Sequence, residues 1–221
     1  GLALLMAASR GATITGVDTC ADRLALARER LLPEEWEPHA DTGTRIVRGS
    51  PADTARADAD TYTVVTAFEP IGCLAGDAEG LGELLPEALP LAGRGAAVVL
   101  AGWGPPERCA TASVLRAAAK LAEPLPGGTW RPADRDDLER VAERAGLRPD
   151  GSGRVACPFG YADADSALRG LKSTGLFDPA ISATDQVQVD KELTEAVHPY
   201  QRPDGTVWMP NVFRYLVART P

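Results

Sequence analysis

The sequence is poor in the residues that build metal centres and nucleophilic triads. It holds two histidines, His39 and His198, and four cysteines, Cys20, Cys73, Cys109 and Cys157. The cysteines lie far apart and form no C-x-x-C pair, which removes the usual zinc and dithiol spacings. Thiols spread in this way through an enzyme-sized chain point to a reducing, cytoplasmic setting. No Ser-His-Asp set or metal cluster stands out, so no metal is expected. No apolar run reaches the ~18 residues that a membrane helix needs. Residues 1–8 are apolar but have no basic n-region and no cleavage site, which excludes reading them as a signal peptide. Basic clusters are missing too. The 23 Lys and Arg are outnumbered by 31 Asp and Glu, giving a net charge of −8. Such a chain repels phosphate backbones, so nucleic acid is an unfavourable partner and a small molecule a better one. A homo-oligomer is compatible with all of this.

What remains is an ordinary globular composition. Hydrophobic residues make up 44% and charged residues 24% of 221 positions, enough for one domain with a full core. Helix and strand signals alternate. Residues 2–9 read as a helix, 12–17 (ATITGV) as a buried strand, and 22–32 as an amphipathic helix with Leu24, Ala27 and Leu31 on one face. Short strands are expected at 45–47 and 62–68, a helix with Pro86 inside it at 79–89, and the most apolar strand at 96–102. Helices are expected at 110–122 and 134–145, a strand at 154–159, and helices at 163–173 and 185–197. The turn signal RPDGT (202–206) precedes a last strand at 212–218. The order predicts a doubly wound α/β fold, mostly parallel, with an antiparallel C-terminal edge strand formed by a closing hairpin.

The segment 1–18, GLALLMAASRGATITGVD, carries the first chemical signal. A glycine precedes a helix, a strand follows, and Asp18 ends the strand. A glycine allows backbone approach to a ligand, and a helix N-terminus offers free N–H groups. A carboxylate at the strand end accepts from both ribose hydroxyls. The competing reading makes Asp18, Thr19 or Asp22 a simple helix cap.

Residues 1–31, GLALLMAASRGATITGVDTCADRLALARERL, resemble the start of a class I S-adenosylmethionine-dependent methyltransferase of the bacterial small-molecule type. In that family a first strand runs into a loop of the form D-x-G-x-G-x-G. Gly1 matches the last glycine of that loop, and Asp18 the acid that holds the ribose, with Thr19 beside it. RIVRGSPAD (45–53) matches the segment where an acid usually meets the adenine amino group; Ser50, followed by Pro51, stands at that place. TYTVVTAFEPIG (61–72) matches the fourth strand and its loop, which puts Phe68 beside the cofactor. Residues 93–109, 137–147 and 213–218 match the fifth strand, the helix before the sixth, and the final antiparallel strand. The resemblance implies S-adenosylmethionine as cofactor and S-adenosylhomocysteine as product. It also implies a first strand ahead of Gly1, so upstream residues are expected.

Beyond the cofactor, Trp103 follows the strand at 96–102, where it walls a substrate pocket or packs under the next helix. Glu69 follows the strand at 62–68, as a general base or an exposed loop acid. His39 reads as a solvent-exposed loop residue. His198 ends a helix, as a catalytic base or a dipole-favoured terminus. Tyr161, Arg169 and Lys172 flank a helix that either covers the substrate or is simply solvated. The chain is expected to be one methyltransferase-like domain, residues 1–109 serving the cofactor and 110–221 the substrate. The expected activity is methyl transfer to a small molecule, of the secondary-metabolite kind. The alternatives are a methyltransferase-like cyclase or isomerase that transfers no methyl group, and a noncatalytic binding subunit.

Overall fold

The computed structural model describes residues 1–31, 43–55, 61–68, 78–121, 136–175 and 177–221. They form two compact units, Gly1–Tyr62 with Leu84–Gly93, and Thr63–Glu83 with Arg94–Pro221.

The first unit holds α1 (Leu2–Ala8), β1 (Thr15–Asp18), α2 (Ala21–Leu31) and β2 (Arg45–Arg48). β1 and β2 pair in parallel, with Asp18 opposite Arg48. The strand expected at 12–17 thus starts later, because residues 12–14 lead out of a turn in which Gly11 takes a φ of 80°. Leu24, Ala27 and Leu31 are buried on one face of α2, as their spacing requires. Ala27 and Leu31 join Ile14 in a small core against which Leu4, Ala7, Ala8 and Ile46 pack. Gly16 makes this approach close: a Cβ there would lie 2.3 Å from Leu4 Cδ1. Within this unit the hydroxyl of Tyr62, the first residue of β3 (Tyr62–Phe68), donates to Thr15 Oγ1 at 2.7 Å.

After β3 come α3 (Ala78–Ala88), β4 (Ala92–Trp103), α4 (Thr111–Leu121), α5 (Asp137–Arg144), β5 (Arg148–Ala156), β6 (Phe159–Tyr161) and α6 (Ala164–Lys172). α7 (Asp178–Ala183), α8 (Gln186–Val197), β7 (Val207–Met209) and β8 (Val212–Arg219) close the chain. The main sheet has the order β3-β4-β8-β5. β8 runs antiparallel to both β4 and β5, so those two share one direction. The chain is a mixed α/β fold with a mostly parallel central sheet and a reversed closing strand. Val98, Leu100, Leu216 and Ala218 are buried on the interior strands, and α5 packs on β5 and β8. A separate core joins α4, α6, α7 and α8, with Val114, Leu171, Phe177, Val189, Leu193 and Met209 at its centre.

The structure departs from the sequence reading in three places. The strand read at 154–159 is two strands, β5 and β6. β5 begins at Arg148 although Pro149, Gly151, Ser152 and Gly153 are poor strand residues. The long β8 templates it, a bulge between Pro149 and Gly151 absorbs the irregularity, and Tyr215 lies across Gly153, where a Cβ would meet the phenol oxygen at 2.5 Å. Second, the closing hairpin does not join β7 to β8. β7 pairs with β6 instead, and the RPDGT turn is closed by the bridge from Gln201 to Val207. Third, α7, with Pro179 in its first turn, escaped the sequence reading.

Gly104, just past β4, is the tightest join. Its N–H donates to the Val212 carbonyl at 2.8 Å, and a Cβ would sit 2.6 Å from that same oxygen. Gly104→Ala forces backbone apart rather than a flexible side chain. It is expected to cost ~2–3 kcal/mol, readable as a lower urea midpoint with an unchanged m-value.

Candidate functional site

The strand ends position the first group of candidate residues. In a parallel pair both carboxyl ends lie at one edge, where ligands of open α/β sheets bind. The register sets Asp18 beside Arg48, so Thr19 and Cys20 leave β1 next to Gly49 and Ser50 leaving β2. Gly49 N–H donates to the Asp18 carbonyl at 3.1 Å, which holds the two exits together. Ser50, Pro51 and Asp53 form a short 3₁₀ turn, and the Ser50 N–H donates to Asp53 Oδ2 at 2.7 Å. Gly49 takes a φ of 138°, and a Cβ there would collide with the Asp53 carboxylate. The turn needs that glycine. Asp53 is a residue the sequence reading missed. The available signal was an S-x-x-D capping pattern directly after the strand.

Asp18 is where the expectation of a ribose acceptor falls, and its carboxylate is engaged. Arg23 Nε donates to Oδ2 at 2.8 Å and Arg23 Nη2 to Oδ1 at 2.7 Å, a bidentate pair. The Cys20 N–H donates to Oδ1 at 2.8 Å. The Arg23 guanidinium holds the Asp18 carboxyl below its ordinary value, against partial burial, and the Cys20 amide helps. A carboxyl whose folded-state pKa is lowered contributes stability that is complete above its unfolded value of about 4 and is lost as pH falls through the folded value. Asp18→Asn is therefore expected to flatten the acid limb of a stability-versus-pH profile below about pH 4, measured by urea unfolding at stepped pH. An acid limb identical to that of the unaltered protein counts against the pairing.

Thr19 is exposed beside this carboxylate. Gly1 precedes α1, and its carbonyl accepts from Leu5 N–H. A Cβ on Gly1 would lie 3.1 Å from Ala27 Cβ, so close packing on α2 already calls for a small residue there.

The other candidates among the described residues belong to the second unit. Phe68 ends β3 and is exposed. Trp103 ends β4 opposite Phe213 of β8. Its ring stacks on Phe213 at 4.6 Å between centroids and meets Phe159 edge-on at 6.3 Å. Trp103 is thus held by aromatic neighbours on β8 and β6. Tyr161 ends β6, and its ring crowds the Cα of Gly170 on α6, where a Cβ would lie 2.6 Å away; burial pushes its phenol up. Arg169 is exposed on α6 and donates to Ser166 Oγ at 2.9 Å. Lys172 pairs with Asp190 of α8 at 2.6 Å. His198 is exposed just after α8. Glu69 and His39 lie outside the described residues. Among the described residues no helix is long and apolar enough to cross a membrane.

No family model and no curated protein matches the sequence. Solved structures do match in fold. One is a SAM-dependent methyltransferase from Methanosarcina mazei, at TM-score 0.54 and 9% identity, over 98% of this chain and 86% of that one. Another is a candidate sarcosine dimethylglycine methyltransferase from Galdieria sulphuraria, at TM-score 0.54 and 11% identity, over 100% of this chain and 74% of that one. A third is a candidate methyltransferase from Bacillus halodurans, at TM-score 0.52 and 14% identity, over 94% and 82%. The chain has the fold of the class I S-adenosylmethionine-dependent methyltransferases.

Proposed function

We propose that this protein is a small-molecule methyltransferase that uses S-adenosylmethionine. The observation that supports it best is the parallel pair β1–β2, whose carboxyl ends bring Asp18 and the Gly49–Ser50–Pro51 turn side by side. In this reading Asp18 accepts from the ribose hydroxyls and Thr19 lies beside it. Ser50 and Pro51 border the adenine, with Gly1 and Phe68 as further cofactor contacts. Residues 1–109 serve mainly the cofactor and 110–221 mainly the acceptor; Tyr161 and Arg169 are acceptor contacts from the second part, and Trp103 is one supplied by the first.

The bound cofactor supplies a methyl group on a sulfonium. The protein's own contribution is mainly to hold the acceptor in line with it and to exclude water, which accounts for large rate effects without a catalytic acid or base. Where the acceptor carries a proton, Glu69 or His198 is the base in this reading. The net charge of −8 disfavours a nucleic-acid acceptor and favours a small one, of the secondary-metabolite kind, in a cytoplasmic protein.

A second reading has one observation in its favour. The Asp18 carboxylate is already paired with Arg23, which suits a protein of this fold that transfers no methyl group and works as a cyclase, an isomerase or a binding subunit. Incubation with methyl-labelled S-adenosylmethionine and a fractionated small-molecule extract separates the two. The first reading expects label in a small-molecule fraction. Retention of all label on the cofactor, with S-adenosylhomocysteine still binding, would favour the second.

A further inference from the structure

Arg23 occupies the hydrogen-bonding capacity that a ribose needs. An ionised carboxylate offers about four acceptor positions on two oxygens. Arg23 takes one on each oxygen, and Cys20 N–H takes a second on Oδ1. The Thr19 amide also acts on this carboxylate. A vicinal diol binds an acid through both hydroxyls, so it needs two positions where at most one remains. Arg23 lies in the first turn of α2. There a cation opposes the positive end of the helix dipole, and Asp18 offsets that cost. The arginine side chain is 63% exposed and the aspartate 29%, so solvent reaches the pair.

We infer that Arg23 is an affinity-setting residue: it latches the Asp18 carboxylate, and a ribose-bearing ligand binds by displacing it. The inference rests on the methyltransferase reading for the identity of that ligand. It has a consequence opposite to that of an ordinary binding-site arginine, because removing the cation strengthens binding. A bidentate but partly exposed pair is worth ~1 kcal/mol, so the displacement costs about fivefold in affinity. The cost falls only on ligands that use the hydroxyls.

The test is a set of calorimetric titrations on the full chain and its Arg23→Ala and Arg23→Lys variants. The probes are S-adenosylhomocysteine, adenosine and 2′,3′-dideoxyadenosine. Arg23→Ala is expected to tighten the first two by about fivefold and to leave the dideoxy compound unchanged. Arg23→Lys, which keeps the charge but loses the fork, is expected to fall between. The ratio of adenosine to dideoxyadenosine affinity cancels any general change in α2, so a merely structural effect does not move it. Weaker adenosine binding in Arg23→Ala, or an equal shift for both nucleosides, would overturn the latch while leaving the methyltransferase reading intact. A lack of S-adenosylhomocysteine binding by all three proteins would overturn both.

Discussion

Replacing Asp18 with alanine is expected to weaken S-adenosylhomocysteine binding by at least about thirtyfold, the equivalent of ~2 kcal/mol. The magnitude follows from the charge-assisted bonds that a carboxylate makes to two hydroxyls, less the cost of releasing Arg23. The protein itself should stay folded. Asp18 sits at a strand exit, partly exposed, and what it gives up is a surface pair with Arg23 and a turn bond to Cys20 N–H. Calorimetric titration of the variant, with circular dichroism to confirm the fold, checks both halves of the prediction. Affinity within a factor of three of the unaltered protein would remove Asp18 from the site.

The second large effect is on stability. Asn211 is 1% exposed and lies in the link between β7 and β8. Its Oδ1 accepts from the Thr111 amide at 3.1 Å and from the Thr111 hydroxyl at 2.9 Å. Its Nδ2 donates to the Met209 carbonyl. One side chain thereby satisfies the start of α4 and fixes the path between two strands. Asn211→Leu keeps the branched outline of the side chain but leaves a buried amide, a hydroxyl and a carbonyl without their partner. Each buried polar group left unsatisfied costs ~1–3 kcal/mol, so a total loss of ~3–4 kcal/mol is expected. Urea denaturation reads this as a lowered midpoint, with ligand-independent loss of the cooperative transition at moderate temperature. A change below about 1 kcal/mol would show that α4 is capped by other means.

These two residues mark what could and could not be seen in the sequence. Asp18 was legible because a strand, a terminal acid and a following helix are local patterns. The apolar face of α2 was legible for the same reason, and so was β3, whose β-branched run needs no tertiary help. Asn211 was not legible, because its partner lies 100 residues away and nothing local distinguishes a buried asparagine from a turn residue. The Arg23–Asp18 pair was also hidden. They lie five positions apart across a strand-to-helix corner, and only the rotamer of a long side chain decides whether they meet. β5 was misread because its glycines and proline say loop. The contradicting information is in β8 and in the Tyr215 ring lying over Gly153. Trp103 was placed at the right strand end, but its stack on Phe213 depends on cross-strand register, which sequence pattern alone does not set. At the turn after β2, the resemblance points to Ser50. The acid that organises the turn is Asp53, three positions on, and it acts through the Ser50 backbone.

The central claim is that the edge formed by β1 and β2 holds the adenosyl part of S-adenosylmethionine. Calorimetric titration of the unaltered full chain with S-adenosylhomocysteine tests it most directly, because the product binds without reacting. Saturable one-to-one binding, lost in Asp18→Ala, is the predicted result. No heat beyond dilution at millimolar ligand, or binding that Asp18→Ala leaves unchanged, would contradict it.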